Sequence, residues 1–163
     1  MKRWLVLLTL MTLMIPLAAC KPSFEQQRAS VIEYLTECNN ILNDLDRTVN
    51  LGLDMPEIDH LSKEIPAYQG AIQRAKSLKV PDIDEVKEHN QAILKFMEDW
   101  LFIKSQQLGG LRLGWENPAA VGQALFQIAE QLRSFFVSTE AIMQKYNIAD
   151  SEVGYEFRNS FSP

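Results

Sequence analysis

The stretch SFEQQRASVIEYLTECNNILNDLDRTVN, residues 23–50, decides the fold class. Its apolar residues recur at alternating steps of three and four, in the order Val31, Tyr34, Leu35, Cys38, Ile41, Leu42, Leu45 and Val49. That spacing is the period of an α-helix with one buried face. Ser23, with Gln26 three positions later, is typical of a helix start, and Gly52 is a suitable stop. We therefore predict a helix over residues 23–50.

A second, shorter helix is predicted between residues 65 and 80. Its apolar line consists of Ile65, Tyr68, Ile72, Ala75 and Leu78. Pro66 suits a first helical turn, where the missing N–H has no helical partner to lose. The preceding residues 52–64 are polar and contain Pro56, so we expect them to form a connecting joint.

Two longer helices follow. The third is predicted to open at Pro81, with carboxylates in its first turn, and to end at Gly109-Gly110. The fourth is predicted to begin at Pro118 and to stop near Asn147. Both carry an apolar line at helical spacing.

The whole chain suits one helical domain. Its 163 residues are enough for one sizeable core. Apart from a few residues around Tyr155, no segment alternates in the manner of a strand. Four helices with short joints favour antiparallel neighbours, so we predict an all-α, up-down-up-down four-helix bundle over residues 23–147. Residues 148–163 are expected to form a short irregular tail.

The first twenty residues carry a targeting pattern. Lys2 and Arg3 precede an apolar run, residues 4–15, that is well below the roughly 20 residues needed to span a bilayer as a helix. A basic start, a short apolar centre and small residues at the end are typical of a secretory signal peptide. We predict that residues 1–19 are this peptide.

The end of this segment is more specific. Leu17-Ala18-Ala19-Cys20 resembles the lipobox of bacterial lipoprotein precursors. The resemblance implies a diacylglycerol on the Cys20 thiol, cleavage before Cys20 and acylation of the new amino terminus, with no other cofactor. In that family Lys21, rather than Asp, implies transport to the outer membrane of a two-membrane bacterium, facing the periplasm. Residues 20–22 then link the lipid to the bundle.

The negative net charge of the domain disfavours binding to nucleic acid and to an anionic membrane surface. The net charge of −5 provides no basic footprint, so no nucleic-acid partner is expected. Removing residues 1–19 takes away Lys2 and Arg3 and no acidic residue, which makes the mature charge −7. An anionic membrane holds such a body off its surface, so the lipid on Cys20 makes the membrane contact.

Cys38 is the one thiol that remains after lipidation of Cys20. An intramolecular disulfide is therefore excluded. Because Cys38 lies on the apolar line of the first helix, we expect a buried, inert thiol. A reactive thiol or an intermolecular disulfide is the alternative.

The two histidines are the candidates for metal binding. Glu57 and His60 have the Glu-x-x-His spacing of carboxylate-bridged di-iron bundles, which need a second such pair. Beside His89 the acidic partner is Glu85, four positions earlier instead of three. We therefore expect no metal site, with these four residues as weak candidates for one. For His89 we expect a packing role at a helix junction.

No catalytic constellation is recognisable. The sequence has no Gly-x-Ser-x-Gly elbow, no Cys-x-x-Cys-His haem motif and no Gly-rich phosphate loop ahead of a helix. We expect a protein that is not an enzyme.

Two segments are candidates for binding a partner. The expected joint 109–117 contains Arg112 and Trp115, two residue types that are enriched at binding hot spots. The alternative for Trp115 is to cover the open end of the bundle core. The tail contributes three aromatic residues, which can dock on a partner or on their own bundle: Tyr155, Phe157 and Phe161.

Together these patterns predict a membrane-anchored envelope lipoprotein that acts as a binding, assembly or accessory factor for an envelope protein. One alternative is a bundle that binds a small ligand or metal in a groove beside the short second helix, near His60 and His89. Another is a purely structural spacer.

Overall fold

The computed structural model describes residues 22–50, 56–114 and 118–154. These residues form five helices and no strand, which confirms the all-α prediction. The helices are α1 (Phe24–Asn50), α2 (Glu57–Lys76), α3 (Asp84–Leu113), α4 (Pro118–Lys145) and the short α5 (Asp150–Val153). As expected, α2 is the shortest of the four long helices, with 20 residues.

The N-terminus of α1 is capped as its sequence predicts. The backbone N–H of Gln26 donates to Ser23 Oγ at 3.3 Å, and the Ser23 N–H donates to Gln26 Oε1 at 2.9 Å. This reciprocal pair satisfies two backbone donors that a helix start leaves free. Seven residues of the predicted apolar line of α1 are buried: Val31, Tyr34, Leu35, Cys38, Ile41, Leu42 and Leu45.

The start of α2 was predicted wrongly. The helix begins at Glu57, after Pro56, and contains Pro66 in its interior. An interior proline costs about 3 kcal/mol because it removes a backbone donor and crowds the preceding turn. Burial of Leu61 and Glu64 against the rest of the molecule keeps the first two turns helical in spite of this cost.

Both ends of α3 also differ from the prediction. The helix begins at Asp84, after an extended Ile83, and not at Pro81. It passes through Gly109 and Gly110 and stops at Gly114, whose φ of 69° is left-handed. A glycine inside a helix costs only about 1 kcal/mol, whereas the left-handed position that closes a helix strongly favours glycine. Residues up to 113 therefore lie on a helix and not in a loop.

The beginning and end of α4 match the prediction. The helix starts at Pro118, and Asn147 beyond its end has a left-handed φ of 51°. Residues 148–154 of the predicted tail are less irregular than expected, because they include α5 and because Ile148 and Val153 are buried. Residues 155–163 lie outside the described residues.

Packing follows the order of the chain. Helix α1 packs against α2, α2 against α3, α3 against α4, and α5 returns to α1. One large hydrophobic cluster runs through α1 to α4 and includes Ile148 and Val153. Among the described helices, none combines the length and the apolar character needed to cross a membrane.

Candidate functional site

The predicted contact residues divide into those that the structure describes and those that it does not. Cys20, Trp115, Tyr155, Phe157 and Phe161 lie outside the described residues. The predictions of lipidation and of partner contacts at these positions therefore stay predictions.

Arg112 lies in the last turn of α3 and is exposed to solvent. It belongs to a helix end, so its position was predicted wrongly although its exposure was expected. At the C-terminus of a helix a guanidinium is favourably placed against the helix dipole. Its charge is therefore available at the surface without distortion of the backbone.

Helix α1 begins at one end of the molecule. Pro22 is the first described residue, and the predicted lipid site, Cys20, precedes it by two positions in the sequence. The Phe24 ring stacks on Tyr146, directly after α4, with 5.8 Å between ring centroids. The Tyr146 hydroxyl in turn donates to Glu85 Oε1 on the first turn of α3 at 3.1 Å. We call this end, where α1 and α3 begin and α4 finishes, the anchor end.

The opposite end, which we call the distal end, holds the C-terminus of α3 and the N-terminus of α2. Gln107 Nε2 donates to Glu57 Oε1 at 2.6 Å and joins these two helix ends. Helix α3 has 30 residues, which corresponds to about 45 Å from one end to the other.

Exposed apolar side chains are concentrated toward the distal end. Of the six large hydrophobic residues exposed among the described residues, four lie in that half; we call them, with Arg112, the distal apolar surface: Ile58, Phe102, Leu113 and Phe126. Phe102 and Phe126 expose 64% and 69% of their surface. Single exposed apolar residues are ordinary, so these four are distinguished by their shared position in one half of the molecule.

A buried carboxylate lies between α2 and α3. Glu64 is only 1% exposed, and its Oε1 accepts a hydrogen bond from Trp100 Nε1 at 3.0 Å. Its Oε2 lies 3.3 Å from Lys104 Nζ and 3.4 Å from His60 Nε2. Lys104 also covers the Trp100 ring, with Nζ 4.9 Å from the ring centroid. The ammonium and the indole thus compensate for the removal of the carboxylate from water.

Sequence reasoning missed Glu64 because it assigned residues 52–64 to a polar joint. A signal for it was present, since Leu61, Glu64 and Tyr68 continue the apolar line of α2 at steps of three and four. The Trp100 indole, the Lys104 ammonium and the His60 ring lie against the Glu64 carboxylate, and only the indole makes a hydrogen bond to it, so Oε2 has no hydrogen-bond partner among the described residues. The arrangement therefore stabilises the junction of α2 and α3.

His89 is fully buried at the centre of a hydrogen-bonded relay. The ring is 1% exposed, with Nδ1 2.9 Å from Tyr34 Oη and Nε2 2.8 Å from Thr139 Oγ1. Thr139 donates its single hydroxyl proton to the Phe135 carbonyl at 3.0 Å, so it accepts from His89 Nε2–H. Nδ1 of the neutral ring therefore accepts from the Tyr34 hydroxyl. Burial lowers the pKa of His89 from 6.5 to about 4, so the neutral ring persists at pH 7.

A groove between α3 and α4 opens beside His89. Its volume is about 420 Å³, and its lining is Glu85, Glu88, His89, Ala92, Ser134, Ser138, Ala141, Ile142 and Lys145. Glu85 at its rim pairs with Lys145, and the hydrogen bond from the ammonium lowers the pKa of the Glu85 carboxyl. The groove lies between α3 and α4, whereas the sequence suggested one beside α2.

Cys38 is 1% exposed, as its position on the apolar line of α1 predicts. Burial raises the pKa of its thiol to about 12. Because the thiolate is the reactive form, a thiol in this setting is inert at neutral pH. The prediction of a buried Cys38 is confirmed.

The four weak metal candidates divide between the two ends of the molecule. Glu57 accepts from Gln107, and His60 lies beside Glu64, both toward the distal end. Glu85 and His89 line the groove near the anchor end. Within residues 22–50, 56–114 and 118–154, no group of three or more His, Cys, Asp or Glu side chains is arranged to hold a metal ion.

Comparison of the chain with protein-family models, with curated proteins and with solved structures finds no match.

Proposed function

We propose that this protein is a bacterial envelope lipoprotein, held by lipid on Cys20 to the outer membrane and facing the periplasm, that binds an envelope protein as an assembly or accessory factor. In this proposal it is not an enzyme, and residues 1–19 are its signal peptide. The support is the lipobox sequence together with a body of packed helices.

We further propose that the four long helices form an up-down-up-down bundle. Two contacts support opposite directions for α3 and α4: Glu85 pairs with Lys145, and Asp99 accepts from Gln131 at 2.8 Å. The numbers rise along α3 while they fall along α4, as an antiparallel pair requires. Glu57 beside Gln107 and Glu64 beside Trp100 support the same relation for α2 and α3.

The observation that carries the binding proposal is the separation of the anchor end from the distal apolar surface. The lipid is expected near Pro22, whereas Phe102, Leu113 and Arg112 lie toward the far end of α3. An apolar surface at that distance from the bilayer is accessible to a protein and not to lipid. The matching partner surface is apolar and carries a carboxylate opposite Arg112.

Site-specific photo-crosslinking in intact cells tests the binding proposal. A photo-reactive residue at position 102 or 126 is expected to capture one envelope protein in stoichiometric yield. Val137 is the matched control, because it is 61% exposed on α4 but lies toward the anchor end. Arg112→Glu is expected to reduce the capture at least tenfold. Equal capture at position 137, or no effect of the Arg112 charge, would contradict the proposal.

A separate measurement tests the anchor. Labelling with a radioactive fatty acid is expected for the wild-type chain and not for Cys20→Ser, which should also leave the membrane fraction. A labelled Cys20→Ser chain would show that the lipid is attached elsewhere.

A second candidate function is binding of a small ligand, which the groove of about 420 Å³ beside His89 favours. A metal ligand is the less favoured form of this candidate, because no three His, Cys, Asp or Glu side chains among the described residues are arranged to hold an ion. Metal analysis of protein purified without chelator tests this candidate. Substoichiometric metal, with no rise in the melting temperature on adding Zn²⁺, would exclude a metal ligand.

A further inference from the structure

The Tyr34–His89–Thr139 relay joins three helices through one ring. Tyr34 is on α1, His89 on α3 and Thr139 on α4. The hydrogen bonds run in one direction, from the Tyr34 hydroxyl into Nδ1 and from Nε2–H into Thr139, whose proton goes to the Phe135 carbonyl. This order fits only the neutral ring.

Protonation of His89 reverses one bond of the relay. Nδ1 then carries a proton and becomes a donor, so the Tyr34 hydroxyl has to turn and accept. The side chain that stands ready to take the displaced Tyr34 proton is Asn90, whose Oδ1 lies 3.5 Å from Tyr34 Oη. That distance is long for a hydrogen bond between oxygen atoms, so the hydrogen bonds around a protonated His89 are weaker than those around the neutral ring.

The charged groups around the ring do not compensate for a cation at His89. From α1 the ring meets the Tyr34 hydroxyl, with the Cys38 thiol beside it, and both stay neutral because burial raises their pKa values. On α3, Glu85 and Glu88 line the adjoining groove, but Glu85 is already paired with Lys145 of α4, and both ring nitrogens of His89 bond to other groups than these carboxylates. Both hydrogen bonds of the ring go to neutral hydroxyls.

We propose that the Tyr34–His89–Thr139 relay is a proton-sensitive latch, which holds α1 against α3 and α4 at neutral pH and holds it less firmly when the surroundings become acidic. The groove beside His89 provides the route by which water and protons reach the ring. This property goes beyond the proposed binding of an envelope protein, and its test requires no partner.

The expected size of the effect follows from proton linkage. Opening exposes His89 to water and restores its ordinary pKa of 6.5 from the lowered value of about 4. The open state is therefore expected to be about 20-fold more populated at pH 5 than at pH 7.

Hydrogen–deuterium exchange of the full-length chain in detergent micelles tests the latch. After correction for intrinsic rates, peptides from residues 24–39 are expected to exchange about 20-fold faster at pH 5 than at pH 7. Peptides from residues 100–113 should change less than threefold. His89→Gln keeps a donor and an acceptor without a titrating ring, so it should abolish the pH effect. His60→Gln is the matched control and should retain it.

Three outcomes would overturn the proposal. The first is an unchanged pH effect in His89→Gln, and the second is no effect in the wild-type chain. The third is an equal acceleration in every helix, which is ordinary acid unfolding. A measurement on the wild-type chain covers the case in which His89→Gln does not fold: ¹⁵N NMR of labelled histidine should show His89 as the neutral Nε2–H tautomer at pH 7. The Nδ1–H tautomer or a protonated ring at that pH would contradict the relay.

Discussion

At the scale of single residues, the two most informative side chains are polar ones that the fold buries. Glu64 and His89 are each 1% exposed, and each connects its own helix to another one. Glu64 lies beside the Lys104 ammonium and accepts from the Trp100 indole, whereas His89 is neutral and bonds to hydroxyls. Buried polar groups require partners, so each of these residues fixes the position of its neighbours.

Replacing Glu64 by Ala is expected to lower the free energy of unfolding by about 3 kcal/mol, because Trp100 Nε1 loses its acceptor and the mostly buried Lys104 ammonium loses the carboxylate beside it. Urea denaturation followed by circular dichroism measures this difference. Glu98→Ala, in an exposed pair with Lys76, is the control and should cost less than about 1 kcal/mol. Equal losses in the two variants would show that Glu64 has no special role.

The stability of the whole fold is expected to depend on pH through His89. Its pKa in the folded chain, about 4, lies below the ordinary 6.5, so the unfolded chain binds more protons between these values. The free energy of unfolding is therefore highest above about pH 6.5, and protonation of His89 in the unfolded chain lowers it by about 3 kcal/mol by pH 4. Carboxyl groups with lowered pKa values, such as Glu85 and Asp99, add losses only at the acidic end of this range.

Urea denaturation at a series of pH values checks this dependence. Between pH 6.5 and 5 the slope is expected to disappear in His89→Gln and to persist in His60→Gln. A wild-type chain that is equally stable at pH 7 and pH 5 would contradict the low pKa of His89.

At the scale of elements, the sequence was sufficient to predict the four long helices but only some of the residues at which they begin and end. The three–four spacing located all four long helices, and Ser23 and Pro118 marked two starts correctly. The errors fall where local signals compete with tertiary contacts. Pro66 is a good first residue in isolation, but burial of Leu61 and Glu64 extends α2 by more than two turns before it.

The glycines of α3 show the same limit. Gly109 and Gly110 come first along the chain and look like a stop, yet the left-handed position is taken by Gly114. Sequence spacing cannot say which glycine adopts a positive φ, because that depends on where packing of the helix ends. The relay around His89 was equally inaccessible, since Tyr34, His89 and Thr139 come from three separate helices.

Two alanine substitutions in α3 distinguish these glycines. Gly114→Ala is expected to lower the free energy of unfolding by about 1 kcal/mol, because a Cβ is strained at a φ of 69°. Gly109→Ala is expected to raise it by up to about 1 kcal/mol, since the position is helical and an added Cβ meets no atom within 4 Å. Thermal denaturation of both variants measures the difference. The opposite signs would place the end of α3 at the first glycine pair.

At the scale of the whole molecule, Arg28 fastens the end of α4 to the start of α1. Its Nε donates to the Tyr146 carbonyl at 3.1 Å and its Nη2 to the Asn147 carbonyl at 3.0 Å. The same Nη2 contacts both carboxylate oxygens of Glu152, each at 2.8 Å. Together with the bond from Asn39 Nδ2 to the Val153 carbonyl, these contacts explain why residues 148–154 pack on α1.

Arg28→Ala is expected to cost about 2 kcal/mol of unfolding free energy, since several charge-assisted hydrogen bonds are lost at a partly buried site. Hydrogen exchange should accelerate in residues 146–154 more than in α2. Arg47→Ala, at a side chain that is 70% exposed, is the control and should leave both quantities nearly unchanged. If the two variants behave alike, the end of α4 is held by apolar packing alone.

The length of α3 has a consequence for partner selection under the proposed anchoring. With α3 directed away from the membrane, its length of about 45 Å sets an upper limit on the height of the distal apolar surface above the bilayer. A membrane protein whose soluble part is much shorter than this would pass beneath that surface, and one that rises to the same level would meet it. The molecule would then select its partners by the height of their soluble parts above the bilayer as well as by the chemistry of their surfaces.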